Sequence, residues 1–109
     1  MDLVQKKCVA CEGAETPLTR AEAETSLKQT PGWIISDDAK KIGREFEFKD
    51  FREAMTFINK VAEIAETEGH HPDLCCFYNK VKLELWTHAI NGLFENDFIV
   101  AAKVNELLR

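Results

Sequence analysis

The chain has 109 residues, 45% of them hydrophobic, and its 14 Lys and Arg against 19 Asp and Glu give a formal net charge of -5. That length holds one hydrophobic core and buries enough surface to fold without disulfides or a metal. The plentiful Leu, Ile, Val and Phe exclude disorder, the acidic balance leaves no basic footprint for a nucleic acid, and no apolar run approaches the roughly 18 residues of a membrane span.

Residues 1–16 read as a flexible polar lead-in, and 17–109 as a single folded domain. The start, Met1 to Lys7, lacks the apolar stretch of an export signal. The four cysteines are therefore expected as reduced thiols in a cytoplasmic setting. Cys8-Val9-Ala10-Cys11 is a CxxC, but its only companion, Cys75-Cys76, has no spacer, and neighbours in a strand point to opposite faces. A zinc site takes two CxxC-like pairs, or one with paired histidines. The CxxC is expected to be a mobile feature outside the chemistry.

The first helix opens on Thr19-Arg20-Ala21-Glu22, a capping box, and should run to about Lys28 before Pro31-Gly32. Trp33 to Ser36 forms a short strand, and Asp37 to Lys40 a turn. Ile42, Phe46 and Phe48 then alternate with Lys41, Glu45 and Glu47, a half-buried strand whose apolar side is interrupted by Arg44. In the second helix, capped at Asp50, the residues Phe51, Ala54, Met55, Ile58, Val61, Ala62 and Ala65 draw one apolar stripe. Gly69 suits its C-terminal stop, and Pro72 forbids continuation. Leu74 to Tyr78 and Val81 to Trp86 predict a second hairpin turning at Asn79-Lys80, with Val81, Leu83 and Leu85 facing inward. A last helix begins near Asn96-Asp97 and buries Phe98, Ala101, Val104 and Leu108. This order predicts an α+β fold: a four-stranded antiparallel sheet with three helices packed on one face.

Some residues are hard to explain as packing. Glu63, Glu66 and Glu68 crowd the end of the second helix, where the macrodipole disfavours anions. Glu66 stands four residues before His70, within reach of its imidazole. All three histidines, His70, His71 and His88, fall within nineteen residues. If the third and fourth strands form a hairpin, the His70-His71 turn and His88 meet at one sheet edge, beside Glu66 and Asp97. Taken singly, His71 reads as an exposed loop residue, Asp97 as a favourable charge at a helix N-terminus, and Trp33 and Trp86 as apolar anchors.

The run Glu66-Thr67-Glu68-Gly69-His70-His71-Pro72, with Tyr78, His88 and Asp97, resembles the signature of the pterin-4a-carbinolamine dehydratases. Its spacing of Glu, three residues, His-His-Pro, five, Tyr, nine, His, eight, Asp fixes seven identities over thirty-two positions, and the likeness extends over about residues 17–108. The resemblance implies the same α+β fold. It implies an enzyme that removes water from 4a-hydroxytetrahydropterin to give quinonoid dihydropterin, in recycling of the pterin used by aromatic amino-acid hydroxylases. It also implies a homodimer or homotetramer, a pterin that is substrate rather than cofactor, and no resident metal. Some animal members of the family also serve as dimerisation coactivators of a homeodomain transcription factor.

Dehydrating a carbinolamine needs an acid for the departing hydroxyl and a base for a ring-nitrogen proton, and imidazole serves either role near neutral pH. On this reading His70 and His88 transfer protons and His71 orients the pterin. Glu66 would orient an imidazole and Asp97 would support the His88 side, while Pro72, Thr87 and Ala89 would line the pocket. Two rival readings are a zinc site of three histidines and a carboxylate, against which the adjacency of His70 and His71 argues, and a protein-interaction or coactivator module without catalysis.

Overall fold

The computed structural model describes residues 2–10, 13 and 15–108. Helix α1 (Arg20–Leu27) starts at the expected capping box, in which Glu22 N–H donates to Thr19 Oγ1 at 3.2 Å and Thr19 N–H to Glu22 Oε1 at 2.8 Å. Strands β1 (Ile34–Ile35) and β2 (Ile42–Glu47) follow, then α2 (Phe51–Glu68), β3 (Asp73–Phe77), β4 (Lys80–Leu85) and α3 (Glu95–Glu106). Two short 3-10 turns, Leu3–Gln5 and His88–Ile90, complete the described elements.

All strand pairs are antiparallel in the order β1-β2-β4-β3, so the last strand of the sequence lies inside the sheet and β3 forms an edge. Alternation decides the faces. Ile42, Phe46, Val81, Leu83 and Leu85 are buried under the helical layer, whereas Glu45, Glu47, Lys80 and Lys82 stand on the open face. The three helices cover one side, as the pattern predicts.

The second hairpin turns one residue earlier than expected. Phe77 pairs with Lys80, leaving Tyr78-Asn79 as a two-residue connection with Tyr78 at φ 57°. In α2 the buried line runs through Ala54, Phe57, Val61 and Ala65, while Phe51 and Ala62 of the expected stripe are exposed. Phe57 turns the helix, because its ring lies 4.8 Å from Phe46 and 4.9 Å from Phe48. Such aromatic pairs contribute about 0.5–1.5 kcal/mol beyond area burial. Leu108 lies beyond the end of α3 and is exposed, while Ile99 and Val100 join Phe98, Ala101 and Val104 in the core. A helix buried on several sides shows no single stripe in its sequence.

Arg44 has a structural role on its apolar side of β2. Its guanidinium lies over the Phe46 ring, 4.8 Å from the centroid, and Nη1 donates to Pro31 O at 3.2 Å and to Asn105 Oδ1 at 2.7 Å. The apolar stem covers core while the charged head finds partners at the rim.

The chain before Pro17, expected to be a flexible lead-in, lies in its described part against the helical layer. Leu3 joins the core, and the Leu3–Gln5 turn packs on α3. Cys8 N–H donates to Glu68 Oε1 at 2.9 Å, and Lys6 Nζ bonds Glu95 Oε2 at 2.8 Å. The CxxC reading cannot be followed further, since Cys11 lies outside the described residues.

Candidate active site

Gly69 ends α2 in the left-handed conformation, φ 68°, with its N–H on Ala65 O at 2.9 Å. No atom would obstruct a Cβ there, so the requirement is purely conformational. The reversal releases His70 and His71 as consecutive residues on non-helical backbone, and their side chains take separate partners. His70 Nε2 meets Asp97 Oδ1 at 2.6 Å, and His71 Nε2 meets Glu66 Oε2 at 2.6 Å. The expected Glu66–His70 pairing is therefore wrong: leaving the helix at Gly69 carries His70 toward α3 and brings His71 back over Glu66.

The two pairs differ in depth. Asp97 is fully buried and the His70 side chain is 13% exposed, whereas His71 and Glu66 are 59% and 77% exposed. Asp97 sits in the first turn of α3, where Oδ2 accepts from Phe94 N–H at 3.0 Å and from Thr87 Oγ1 at 2.8 Å. Every oxygen of this buried carboxylate thus has a donor, as its burial requires. Because the carboxylate accepts from Nε2–H, His70 keeps Nδ1 as the nitrogen for other chemistry. Asp97, expected to support the His88 side, reaches it through Thr87, the residue before His88, while its other oxygen orients His70.

His88 is held by a ring rather than a carboxylate. It follows β4, is exposed, and stacks on Trp86 with centroids 3.8 Å apart and planes at 26°. Trp86 is fixed in turn, with Nε1–H on Asp73 Oδ2 at 3.0 Å and Lys41 Nζ 5.0 Å from the ring centre. The loop carrying His88 closes on itself through Thr87 N–H to Gly92 O at 2.8 Å. As an apolar anchor, the default reading, Trp86 goes unrecognised as part of the site; its place one residue past the inward alternation of β4 is the signal that could have found it. Trp33 does follow that reading, buried against Phe46 with Nε1–H on Asn105 Oδ1 at 2.9 Å.

These side chains border one cleft of about 310 Å³, lined by His70, His71, Trp86, Thr87, His88, Ala89 and Asn96 with Gly69, Val9 and Ala10. All three histidines and Thr87 and Ala89 therefore come together as expected, by the hairpin register that sets Asp73 opposite Glu84. Pro72 does not border the cleft, and its restricted φ instead directs the chain from His71 into β3. Tyr78 lies at the far end of the hairpin, exposed. Val9, Ala10 and Asn96 were not foreseen in the lining. Among the described residues no three His, Cys, Asp or Glu side chains come together in an arrangement able to hold a metal.

Behind the cleft, Glu68 joins the N-terminal segment to α3, taking the Cys8 N–H and, at 3.1 Å, Lys103 Nζ. Burial pushes its carboxyl up, but the Cys8 N–H and the Lys103 ammonium outweigh that and hold it below the ordinary range. The Cys8 thiol is pushed up to about 12, first by burial and then by the Glu68 charge. It is accordingly a protonated donor, 3.6 Å from Asn96 O, and not a reactive thiolate at neutral pH.

The sequence profile of the family described as Pterin 4 alpha carbinolamine dehydratase matches residues 16–107. Curated proteins named putative pterin-4-alpha-carbinolamine dehydratase are 48% identical in Aromatoleum aromaticum, over 97% of this chain and 95% of theirs, and 50% identical in Methylococcus capsulatus, over 96% and 92%. A crystal structure from Brucella melitensis, titled transcriptional coactivator/pterin dehydratase, superposes with a TM-score of 0.80 at 38% identity, covering 84% of this chain and 98% of that one. A pterin dehydratase-like RuBisCO assembly factor of the alpha-carboxysome shares the fold, with a TM-score of 0.61 at 20% identity over 72% and 92%. With nearly its whole length matched by profile and by relatives near half identity, the chain belongs to the pterin-4a-carbinolamine dehydratase family of hydro-lyases.

Proposed function

We propose that this chain dehydrates 4a-hydroxytetrahydropterin to quinonoid dihydropterin and water by histidine acid–base catalysis, serving tetrahydropterin recycling. One base takes the ring-nitrogen proton while one acid gives a proton to the departing hydroxyl. The carbon–oxygen bond breaks, water leaves, and the former N–H electron pair becomes the new carbon–nitrogen double bond. The observation that carries the reading is that three imidazoles border one cleft, each ring fixed by a different partner: Asp97 for His70, Glu66 for His71, Trp86 for His88. His70, with Nδ1 free, and His88 are the proton-transfer pair; His71 orients the pterin, with Thr87 and Ala89 bordering it. The pterin is substrate, and the side chains supply the acid and base without a cofactor or metal. The proposal includes work in the cytoplasm and assembly as a homodimer or homotetramer; the open edge of β3 and the exposed Phe77 support the assembly, and sedimentation measures its mass in solution.

Stopped-flow dehydration of synthetic 4a-hydroxytetrahydropterin tests the reaction. His70→Ala and His88→Ala should each lower kcat by about 10²–10⁴-fold, the usual worth of a positioned acid or base, and a chelator should change nothing. A wild type no faster than buffer would sink the proposal. It would leave the interaction-module reading, which the exposed Ile34 and Phe77 on the open sheet face favour, and a partner complex would then survive the double His70→Ala, His88→Ala change.

A further inference from the structure

Val9 is fixed far more firmly than a residue in a polar lead-in needs to be. Its N–H donates to Asn96 Oδ1 at 3.0 Å, and its carbonyl accepts from Asn96 Nδ2 at 2.7 Å. The Asn96 amide therefore grips both main-chain groups of one residue, as a neighbouring strand would. Asn96 is itself buried, so the grip is protected from competing water. The preceding residue is held twice more, by Cys8 N–H on Glu68 and by Cys8 Sγ on Asn96 O. Farther along, a Cβ at Gly13 would stand 3.4 Å from Ala89 O, which brings the same segment to the His88 loop across the cleft.

Val9 is nonetheless 60% exposed and borders the cleft that holds the three histidines. An apolar side chain whose backbone is anchored at both polar groups, and which then contacts little of its own protein, is placed for something that enters the cleft. The anchoring residues are also the neighbours of the catalytic supports in sequence: Glu68 is two residues before His70, and Asn96 directly precedes Asp97. One helix end thus positions His70 and a segment of the N-terminal chain together.

From this arrangement we infer that Val9 and Ala10 form a wall of the substrate site, and that Val9 is a substrate-contacting residue that packs on the apolar surface of the bound pterin. Asn96 is its positioning residue. The inference rests on the reading of this cleft as the pterin site. It assigns substrate binding to a segment outside the histidine signature and ahead of the matched residues 16–107.

The test uses the full chain with Val9→Ala, Val9→Asp and Asn96→Ala. Steady-state dehydration of 4a-hydroxytetrahydropterin should give a KM raised about tenfold for Val9→Ala, the scale of losing a methyl-sized contact, and more for Val9→Asp, with kcat falling much less than KM rises. Asn96→Ala should raise KM as well and, unlike Val9→Ala, should expose Cys8 to iodoacetamide, which reads release of the segment independently of turnover. An unchanged KM in both Val9 variants on an active wild type would overturn the inference while leaving the dehydration reading standing. If the wild type proves inactive, that reading fails instead. Titration with 7,8-dihydropterin then decides the wall: weaker binding by Val9→Asp upholds it, and equal binding overturns it.

Discussion

Asp97 and Glu66 make the same kind of contact with the same ring nitrogen at the same 2.6 Å, yet their surroundings make them unequal. Asp97 is sealed from water and accepts from three donors, whereas Glu66 shares its imidazole with solvent. An exposed ion pair of that kind contributes about 0–1 kcal/mol; a buried carboxylate fixes the tautomer and the ring plane of its histidine. Asp97→Asn keeps the shape and the capping contact but presents an amide whose proton can oppose His70 Nε2–H. Its kcat should fall by about 10²-fold or more, with a displaced pH–rate profile, whereas Glu66→Gln should lose less than about fivefold in kcat. Comparable losses in the two variants, measured in the same stopped-flow assay, would show that burial does not rank them. The identities of these carboxylates were readable from the sequence, but their pairing was not. Spacing along a helix assigned Glu66 to His70, and only the left-handed turn at Gly69 shows why the chain skips a residue and assigns it to His71.

At the scale of elements, the strands and helices were legible wherever one face is wet and the other dry. The alternation in β2 and β4, the capping box at Thr19 and the N-cap at Asp50 placed those elements within a residue or two. Legibility failed where burial is not one-sided. Helix α3 is enclosed by core on several faces, so a single stripe through Phe98, Ala101, Val104 and Leu108 misses the buried Ile99 and Val100 and includes the exposed Leu108. On α2 the buried line is rotated from the expected stripe toward Phe57, which meets Phe46 and Phe48. Neither the interior position of β4 nor the anchoring of Val9 has a local signal, since both depend on partners distant in sequence. The end of α2 is the element on which the site turns, and its requirement can be isolated. With no neighbour within reach of a Cβ, Gly69→Ala pays only for the left-handed backbone, about 1–2 kcal/mol. A Tm lowered by roughly 4–8 °C should accompany a fall in kcat, because relaxing the turn also moves His70 off Asp97. A Gly69→Ala protein with unchanged Tm would mean that the turn tolerates an L side chain.

For the molecule as a whole, the N-terminal segment, α2 and α3 are joined by one largely buried charge and one half-buried thiol, and the pH behaviour of the fold follows from their opposite titrations. Glu68 is held below its ordinary 4.5 by the Cys8 N–H and Lys103, against the burial that raises it. The unfolded chain therefore binds more protons than the folded one just below pH 4.5, so this contribution is fully present above that value and is lost as pH falls through the lowered folded value. Cys8 shifts the other way, from 9.0 to about 12, through burial and the Glu68 charge. Its contribution is intact below pH 9 and drains away as pH rises toward 12, because the unfolded chain releases that proton first. Between these limits the segment is locked to the body, and at pH 8 the Cys8 thiolate fraction is roughly 10³-fold below that of a thiol at the ordinary value. Iodoacetamide at pH 8 should accordingly modify the exposed Cys75 long before Cys8, with the order read by peptide mass. Thermal unfolding tests the acid limb: the Tm advantage of wild type over Glu68→Gln should be constant from pH 5 to pH 8 and shrink as pH drops from 4.5 toward 3. An advantage that persists unchanged to pH 3 would show that the bonds to Cys8 and Lys103 hold through shape alone, and that the charge on Glu68 contributes nothing to joining the three elements.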